Sequence, residues 1–121
     1  MRSKIKFTFT PHLSPMFRGI LSTIYLDLKG GASLKKVNTV LKKFYKNDHF
    51  VKILPNNSLL STNNVINTNY CYISVCKSKY RNKIIILSAI DNLIKGGAGQ
   101  AVQNLNYYFG YNEKKGLVWK I

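Results

Sequence analysis

"KIIILSAIDNLIKGGAGQAVQNLN", residues 83–106, contains the change of hydrophobic period that decides the fold. It opens with a continuous apolar run, which is typical of a buried strand. Apolar residues then recur at helical spacing, at Ala98, Ala101, Val102, Leu105 and Phe109. Gly96, Gly97 and Gly99 lie between the two patterns. The stretch predicts a strand, a glycine turn and a helix that stops near Gly110.

Working outward, polarity alternates at residues 4–10 ("KIKFTFT") and 20–28 ("ILSTIYLDL"), which predicts two half-buried strands. A short strand is expected at 50–54, and the strands at 70–77 and 83–89 are expected to form a hairpin through "SKYRN". A helix should begin after Ser33, with Leu34, Val37, Leu41 and Phe44 on its apolar face. Residues 56–69 form a long polar loop in this interpretation.

These elements predict one α+β domain over residues 1–121, with an antiparallel or mixed sheet and helices on one face. No apolar run approaches the ~20 residues of a transmembrane helix, and the first ten residues lack the apolar segment of a signal peptide. We therefore expect a cytoplasmic protein without a membrane partner.

Positive charge dominates the composition, with 19 Lys and Arg against 4 acidic residues and a formal net charge of +15. Sixteen of these cations are lysines that are scattered along the chain, and Asn and Ile are also abundant. An A+T-rich coding bias explains this composition better than nucleic-acid recognition does. The charge predicts nonspecific, salt-sensitive attraction to polyphosphates.

The candidate chemical groups form no catalytic or metal-binding constellation that the sequence reveals. Cys71 and Cys76 are five positions apart in one strand, so their side chains should point to opposite faces and remain reduced. They and the distant His12 and His49 do not form a zinc motif, so no metal is expected.

The glycine turn itself leaves two interpretations open. It is neither a dinucleotide fingerprint nor a Walker loop. Its free N–H groups could bind an anion, or its glycines could let the helix start approach another backbone closely. Asp91 and Asn92, just before the glycines, could cap the turn or contact a ligand.

Two segments, "FTPHLSPMFRGIL" at 9–21 and "SAIDNLIKGGAGQAVQNLNYYFGYNEKKGL" at 88–117, closely resemble the carboxy-terminal third of N-acetyl-γ-glutamyl-phosphate reductases. "TNYCYISV" at 68–75 resembles the penultimate strand of that family. The resemblance implies an α+β domain like the carboxy-terminal domain of glyceraldehyde-3-phosphate dehydrogenases. In such enzymes this domain follows an amino-terminal Rossmann domain, and its sheet builds the oligomer interface.

The resemblance also implies a reaction, in which a cysteine displaces phosphate from an acyl phosphate and NADPH then delivers hydride. Neither Cys71 nor Cys76 matches that nucleophile, and His12 does not match the catalytic histidine. What carries over is cofactor contact through Asn92, with Gly96 and Gly97 nearby. Arg18 is a weaker candidate for contact with the substrate's anionic groups.

The resemblance therefore implies part of an NADP-dependent oxidoreductase of arginine biosynthesis. Its expected partners are a Rossmann half, in cis or in trans, and a second copy of the chain through the sheet. We expect NADP(H) to be held mainly by the Rossmann half, and this chain alone to be inactive. Two alternatives are a small basic nucleic-acid-binding module, with its aromatic residues stacking on bases, and a truncated fragment without activity.

Overall fold

The structure, a computed structural model, describes residues 6–118 of the 121-residue chain. Four strands and two helices make up its regular elements, and the chain order is β1 (Ile20–Asp27), α1 (Leu34–Phe44), β2 (Val51–Ile53), β3 (Cys71–Lys77), β4 (Lys83–Ile90) and α2 (Gly99–Tyr108). The sheet order is β1-β4-β3-β2. The α+β class with a mixed sheet is confirmed.

The hairpin of β3 and β4 forms the centre of the sheet. Its antiparallel register pairs Tyr72 with Ala89, and the five residues 78–82 connect the strands as the sequence predicts. β1 adds antiparallel to the other side of β4, whereas β2 pairs in parallel with β3. The ends of the strand order are therefore β1 and β2.

The long segment after β2 covers one face of the sheet. Leu60 and Val65 from this segment pack on Ala89 of β4 to form the buried apolar cluster. The Ser74 hydroxyl on the same face donates to the Ser58 carbonyl at 2.9 Å. A 3₁₀ turn at Thr62–Asn64 interrupts the segment, which the sequence predicted only as a loop.

Both helices begin and end close to the predicted residues. The Ser33 hydroxyl accepts a hydrogen bond from the Lys36 N–H and caps α1. After α2, Gly110 takes the left-handed conformation (φ +68°) that glycine adopts readily at a helix end. The helices bury amides at two positions: Asn38 of α1 donates to the Leu54 carbonyl, and Asn106 of α2 donates to two carbonyls beyond the helix.

The strand predicted at residues 4–10 is wrong over its described part. Residues 6–10 have no strand conformation, and Phe7 and Phe9 are 83% and 78% exposed. Alternating polarity favours a strand only where a neighbouring strand accepts its hydrogen bonds, and none does so here within residues 6–118. Residues 4 and 5 lie outside the described chain.

The strand predicted at 20–28 is confirmed as β1, yet all eight of its residues are exposed. Val102 and Leu105 of α2, and Phe109 directly after it, are similarly exposed. Two apolar surfaces are thus left uncovered by residues 6–118. No helix formed by the described residues has the length and apolarity that crossing a bilayer requires.

Candidate cofactor-contact site

The buried Asp91 carboxylate organises the turn between β4 and α2. Its Oδ2 accepts hydrogen bonds from Arg18 Nε at 2.9 Å, Arg18 Nη2 at 2.5 Å and the Asn67 N–H at 2.8 Å. Its Oδ1 accepts from the Leu93 and Ile94 N–H groups at 2.9 and 3.0 Å. One fully buried side chain therefore joins the start of β1, the 56–69 segment and the turn itself.

The same donors set the protonation state of Asp91. Burial by itself raises the pKa of a carboxyl, but the hydrogen bonds from Arg18 and from the three N–H groups outweigh it. The pKa of Asp91 is consequently lowered, and the group is ionised at neutral pH. This carboxylate is a structural anion, because its lone pairs are already engaged and its proton affinity is low.

Asn92 is oriented by a backbone contact on the other side of the turn. Its Oδ1 accepts the Gly19 N–H at 2.7 Å. Gly19 has φ of +110°, and a Cβ there would stand 2.6 Å from the Thr62 Cβ, so the position requires glycine. With its carbonyl engaged, the half-buried Asn92 keeps its Nδ2 donors without a partner among residues 6–118.

The glycines of the turn play two different roles. The Gly96 N–H donates to the Asp91 carbonyl, and the Ala98 N–H donates to the Leu93 carbonyl. These bonds form a wide π-type turn, which Gly97 interrupts because its φ and ψ are not helical. Gly96 and Gly97 are exposed. Gly99 is buried, and a Cβ there would lie 2.7 Å from the Ile94 carbonyl oxygen and closer still to Asn69 Oδ1. The close-packing interpretation is therefore confirmed for Gly99.

A chain of polar side chains behind the turn was not anticipated from the sequence. Gln103 Oε1 accepts from Asn69 Nδ2 at 3.0 Å and from Lys95 Nζ at 2.7 Å. Gln103 Nε2 donates to Glu113, which also accepts the His49 N–H. Burial lowers the pKa of the Lys95 amine, although nearby negative charge opposes this shift. The residues come from five separate segments, so no local pattern could have linked them.

The remaining predicted residues lie apart from this network. Arg18 is near Asn92, as expected of one site, but its guanidinium is committed to Asp91. His12 lies in the exposed segment before β1. Cys71 and Cys76 are free, and their sulfur atoms have different neighbours, Ser88 and Ser58, as expected for opposite faces. Over residues 6–118, no three His, Cys, Asp or Glu side chains cluster as metal ligands would.

Comparison with known proteins decides the family. The model of the semialdehyde dehydrogenase dimerisation domain matches residues 1–92. The chain belongs to this family. The chain is also 47% identical over 114 residues to an N-acetyl-γ-glutamyl-phosphate reductase of Thermoanaerobacter pseudethanolicus, and the match covers 94% of this chain and 33% of the relative.

Two further relatives of the chain have similar names. A Clostridium kluyveri reductase is 49% identical over 113 residues, covering 93% of this chain and 33% of the relative. A protein named probable N-acetyl-γ-glutamyl-phosphate reductase, chloroplastic, from Arabidopsis thaliana is 44% identical over 97% of this chain and 29% of its own length. The chain thus spans about a third of the length of the curated relatives it matches.

Proposed function

We propose that this chain supplies the carboxy-terminal part of an NADPH-dependent N-acetyl-γ-glutamyl-phosphate reductase, which converts an acyl phosphate to a semialdehyde. The observation that carries the proposal is the alignment of almost the entire chain, at 47% to 49% identity, with one third of enzymes so named. Residues 1–121 then act as one catalytic and dimerisation-type domain, in the cytoplasm.

The division of catalytic roles between this chain and the rest of the enzyme is inferred from the resemblance and from the groups that the described residues contain. Asp91 is locked by five hydrogen bonds, and the two cysteines have no histidine hydrogen-bonded to them. We infer from the resemblance that the nucleophile and the acid-base group lie outside this chain, and that a Rossmann half, joined in cis or bound in trans, holds most of the cofactor. The exposed apolar side chains of α2 offer a surface to that half. Attraction of nucleic acid by the net charge is nonspecific in this proposal.

The turn between β4 and α2 fits the nicotinamide end of NADP(H). That cofactor, when bound, supplies the hydride. Asn92 Nδ2 is a free, pre-oriented amide donor for the carbonyl of a carboxamide, because Gly19 already holds the Oδ1. Gly96 and Gly97 leave the neighbouring surface without side chains, so that a planar ring can approach the backbone.

Arg18 has a structural role first in this proposal, and contact with the substrate is secondary. Its Nε and Nη2 hold Asp91, so any contact with an anionic substrate group must use the rest of the guanidinium. We assign it first to positioning Asp91 and the turn.

The exposed sheet supports self-association. β1 is a long edge strand with apolar side chains exposed on both faces, including Ile24 at 43% and Tyr25 at 72%. Such an edge favours pairing with another chain, and the family description names a dimerisation domain.

The substitution Ile24→Lys tests this assignment by sedimentation. It should shift the sedimentation coefficient from that of a dimer towards that of a monomer, whereas the control Thr39→Lys, at an exposed position of α1, should not. A dimer that is unchanged by Ile24→Lys would contradict the assignment.

A chimera tests the enzymatic proposal. The carboxy-terminal third of the Clostridium kluyveri reductase is replaced by this chain, and the oxidation of NADPH that depends on added N-acetyl-γ-glutamyl phosphate is measured. Turnover should persist, because the replaced part is 49% identical. A folded, dimeric chimera without turnover would contradict the proposal.

Within that chimera, Asn92→Ala tests the cofactor contact. Loss of one hydrogen bond to the nicotinamide should raise the KM for NADPH or lower kcat about 5- to 13-fold, corresponding to about 1–1.5 kcal/mol. Asn104→Ala on exposed α2 is the matched control and should leave both constants unchanged. If Asn92→Ala and Asn104→Ala had equal effects, the assignment of Asn92 to the cofactor contact would be wrong.

A further inference from the structure

A basic cleft lies between the start of α1 and the β3–β4 hairpin. Its volume is about 710 Å³, within the range of roughly 300–1,000 Å³ typical of small-molecule sites. Five cationic side chains line it and no carboxylate does; they are Lys35, Lys77, Lys79, Arg81 and Lys83. The hairpin loop is fastened to its surroundings, since the Leu28 N–H donates to the Asn82 carbonyl and the Lys77 N–H to Asn57 Oδ1.

The charge of this cleft is almost uncompensated. Among residues 6–118, Lys83 alone of the five has an acidic partner, Asp27 at 2.6 Å, so five cations and one carboxylate leave a net of four positive charges. A concave surface lined by one sign of charge focuses the field and concentrates counter-ions. A second polar cleft, near His49, differs because Asp48 and Glu113 line it together with its lysines.

An aromatic side chain stands beside these cations. Tyr80, in the tip of the hairpin, is 59% exposed, and Lys79 Nζ lies 5.2 Å from its ring centroid. An exposed ring next to cations can stack on a nucleobase while the cations bind phosphates. Phosphate binding and base stacking can therefore occur in the same cleft.

The cleft and the Asp91 turn lie at opposite ends of one strand pair. β1 and β4 pair Ile20 with Ile90 beside the turn and Asp27 with Lys83 beside the cleft. The two pairs are seven positions apart along the strands, or roughly 23 Å. A ligand in the cleft cannot be the nicotinamide that the turn is proposed to contact.

We propose that this cleft binds a nucleoside polyphosphate, with its phosphates on Lys77, Lys79 and Arg81 and its base on Tyr80. A triphosphate matches the net charge of the cleft, and the volume accommodates one nucleotide. The proposal is independent of the reductase assignment, because it uses none of the residues of the turn.

The test is calorimetric titration of the chain with ATP, ADP, AMP and inorganic tripolyphosphate at physiological salt. Affinity should rise with phosphate number, and ATP should exceed tripolyphosphate. Lys77→Gln, Lys79→Gln and Arg81→Gln combined should weaken ATP binding about tenfold or more, because they remove the charges that contact phosphate.

A matched triple variant removes the same charge elsewhere, by Lys36→Gln, Lys42→Gln and Lys43→Gln on α1. It should change ATP affinity by less than about threefold, since long-range effects of exposed charges are screened. Tyr80→Leu should abolish the preference for ATP over tripolyphosphate without weakening tripolyphosphate binding. Circular dichroism verifies that each variant keeps the fold.

Three results would overturn the proposal. Equal weakening by both triple variants would show a nonspecific effect of net charge. Binding that disappears at physiological salt would show the same. For the third, a single-stranded oligonucleotide is added to the ATP complex as a competitor. If it displaces ATP when its total concentration of phosphate groups is lower than that of ATP, the cleft is a nucleic-acid surface.

Discussion

Asp91→Asn is the most informative single substitution, because it keeps the shape of the side chain and removes its charge. The carboxylate is fully buried and accepts five hydrogen bonds through its two oxygens. An amide offers one oxygen only, so whichever way the new side chain is rotated its NH₂ group faces two or three donors. The Arg18 guanidinium, itself mostly buried, loses its anion.

The expected cost follows from those contacts. Removing one partner of a buried ion pair costs about 3–5 kcal/mol, because an uncompensated charge remains in a poorly solvated position. Native domains are stable by about 5–15 kcal/mol, so the loss is a large fraction of the total. We expect Asp91→Asn to reduce the free energy of unfolding by at least about 3 kcal/mol.

The assay is urea unfolding at pH 7, followed by circular dichroism. Asp27→Asn is the matched control: it also removes one carboxylate from one ion pair, but the Asp27 and Lys83 side chains are 70% and 48% exposed. Exposed pairs contribute less than about 1 kcal/mol, so this control should be nearly neutral. Similar midpoints for the two variants would refute the view that the Asp91 contacts hold the turn together.

Three further predictions concern the same elements. The pKa of Asp91 is lowered by folding, so its contribution is complete above about pH 4 and is lost as the pH falls through the folded-state pKa; the stability gap between the wild-type chain and Asp91→Asn should narrow in acid, and parallel pH profiles would contradict this. Gly99→Ala should destabilise the chain by about 1–3 kcal/mol in urea unfolding, because the new Cβ would lie 2.7 Å from the Ile94 carbonyl oxygen; Gln100→Ala is the control, and equal midpoints would refute the packing argument. Ser33→Ala should cost about 0.5–2 kcal/mol through loss of the α1 cap, whereas Thr39→Ala within the same helix should not destabilise it; a neutral Ser33→Ala would show that the cap contributes nothing.

The asparagines have structural roles that the amino-acid composition does not reveal. The sequence explains its abundance by coding bias, yet Asn38, Asn69 and Asn106 are buried and hydrogen-bonded in the structure. Asn57 and Asn67 adopt positive φ, which asparagine tolerates better than most residues. Their roles depend on carbonyls and N–H groups that are distant in the chain, so their frequency carried no information about them.

The candidate site was foreseen only in part. Its location after β4 could be predicted, because a strand, a glycine turn and a helix have local signatures, and the resemblance pointed to Asn92. The Arg18–Asp91 pair joins positions 73 residues apart, and the Gln103 network joins α2 to three other segments. Those contacts follow from the path of the chain in space, which periodicity does not encode.

By itself, the sequence determined the hairpin, both helices and their ends, because hydrophobic period, capping residues and glycine act within a few positions of one another. It also determined the resemblance to the reductase family. The path of the chain in space was needed to show that residues 6–10 form no strand and that, within the described part of the chain, apolar surfaces of β1 and α2 are uncovered. The pairing of a strand and the burial of an apolar surface both depend on which surfaces meet in the fold. A pattern of apolar residues specifies which face of an element is apolar, but it does not specify what packs against that face.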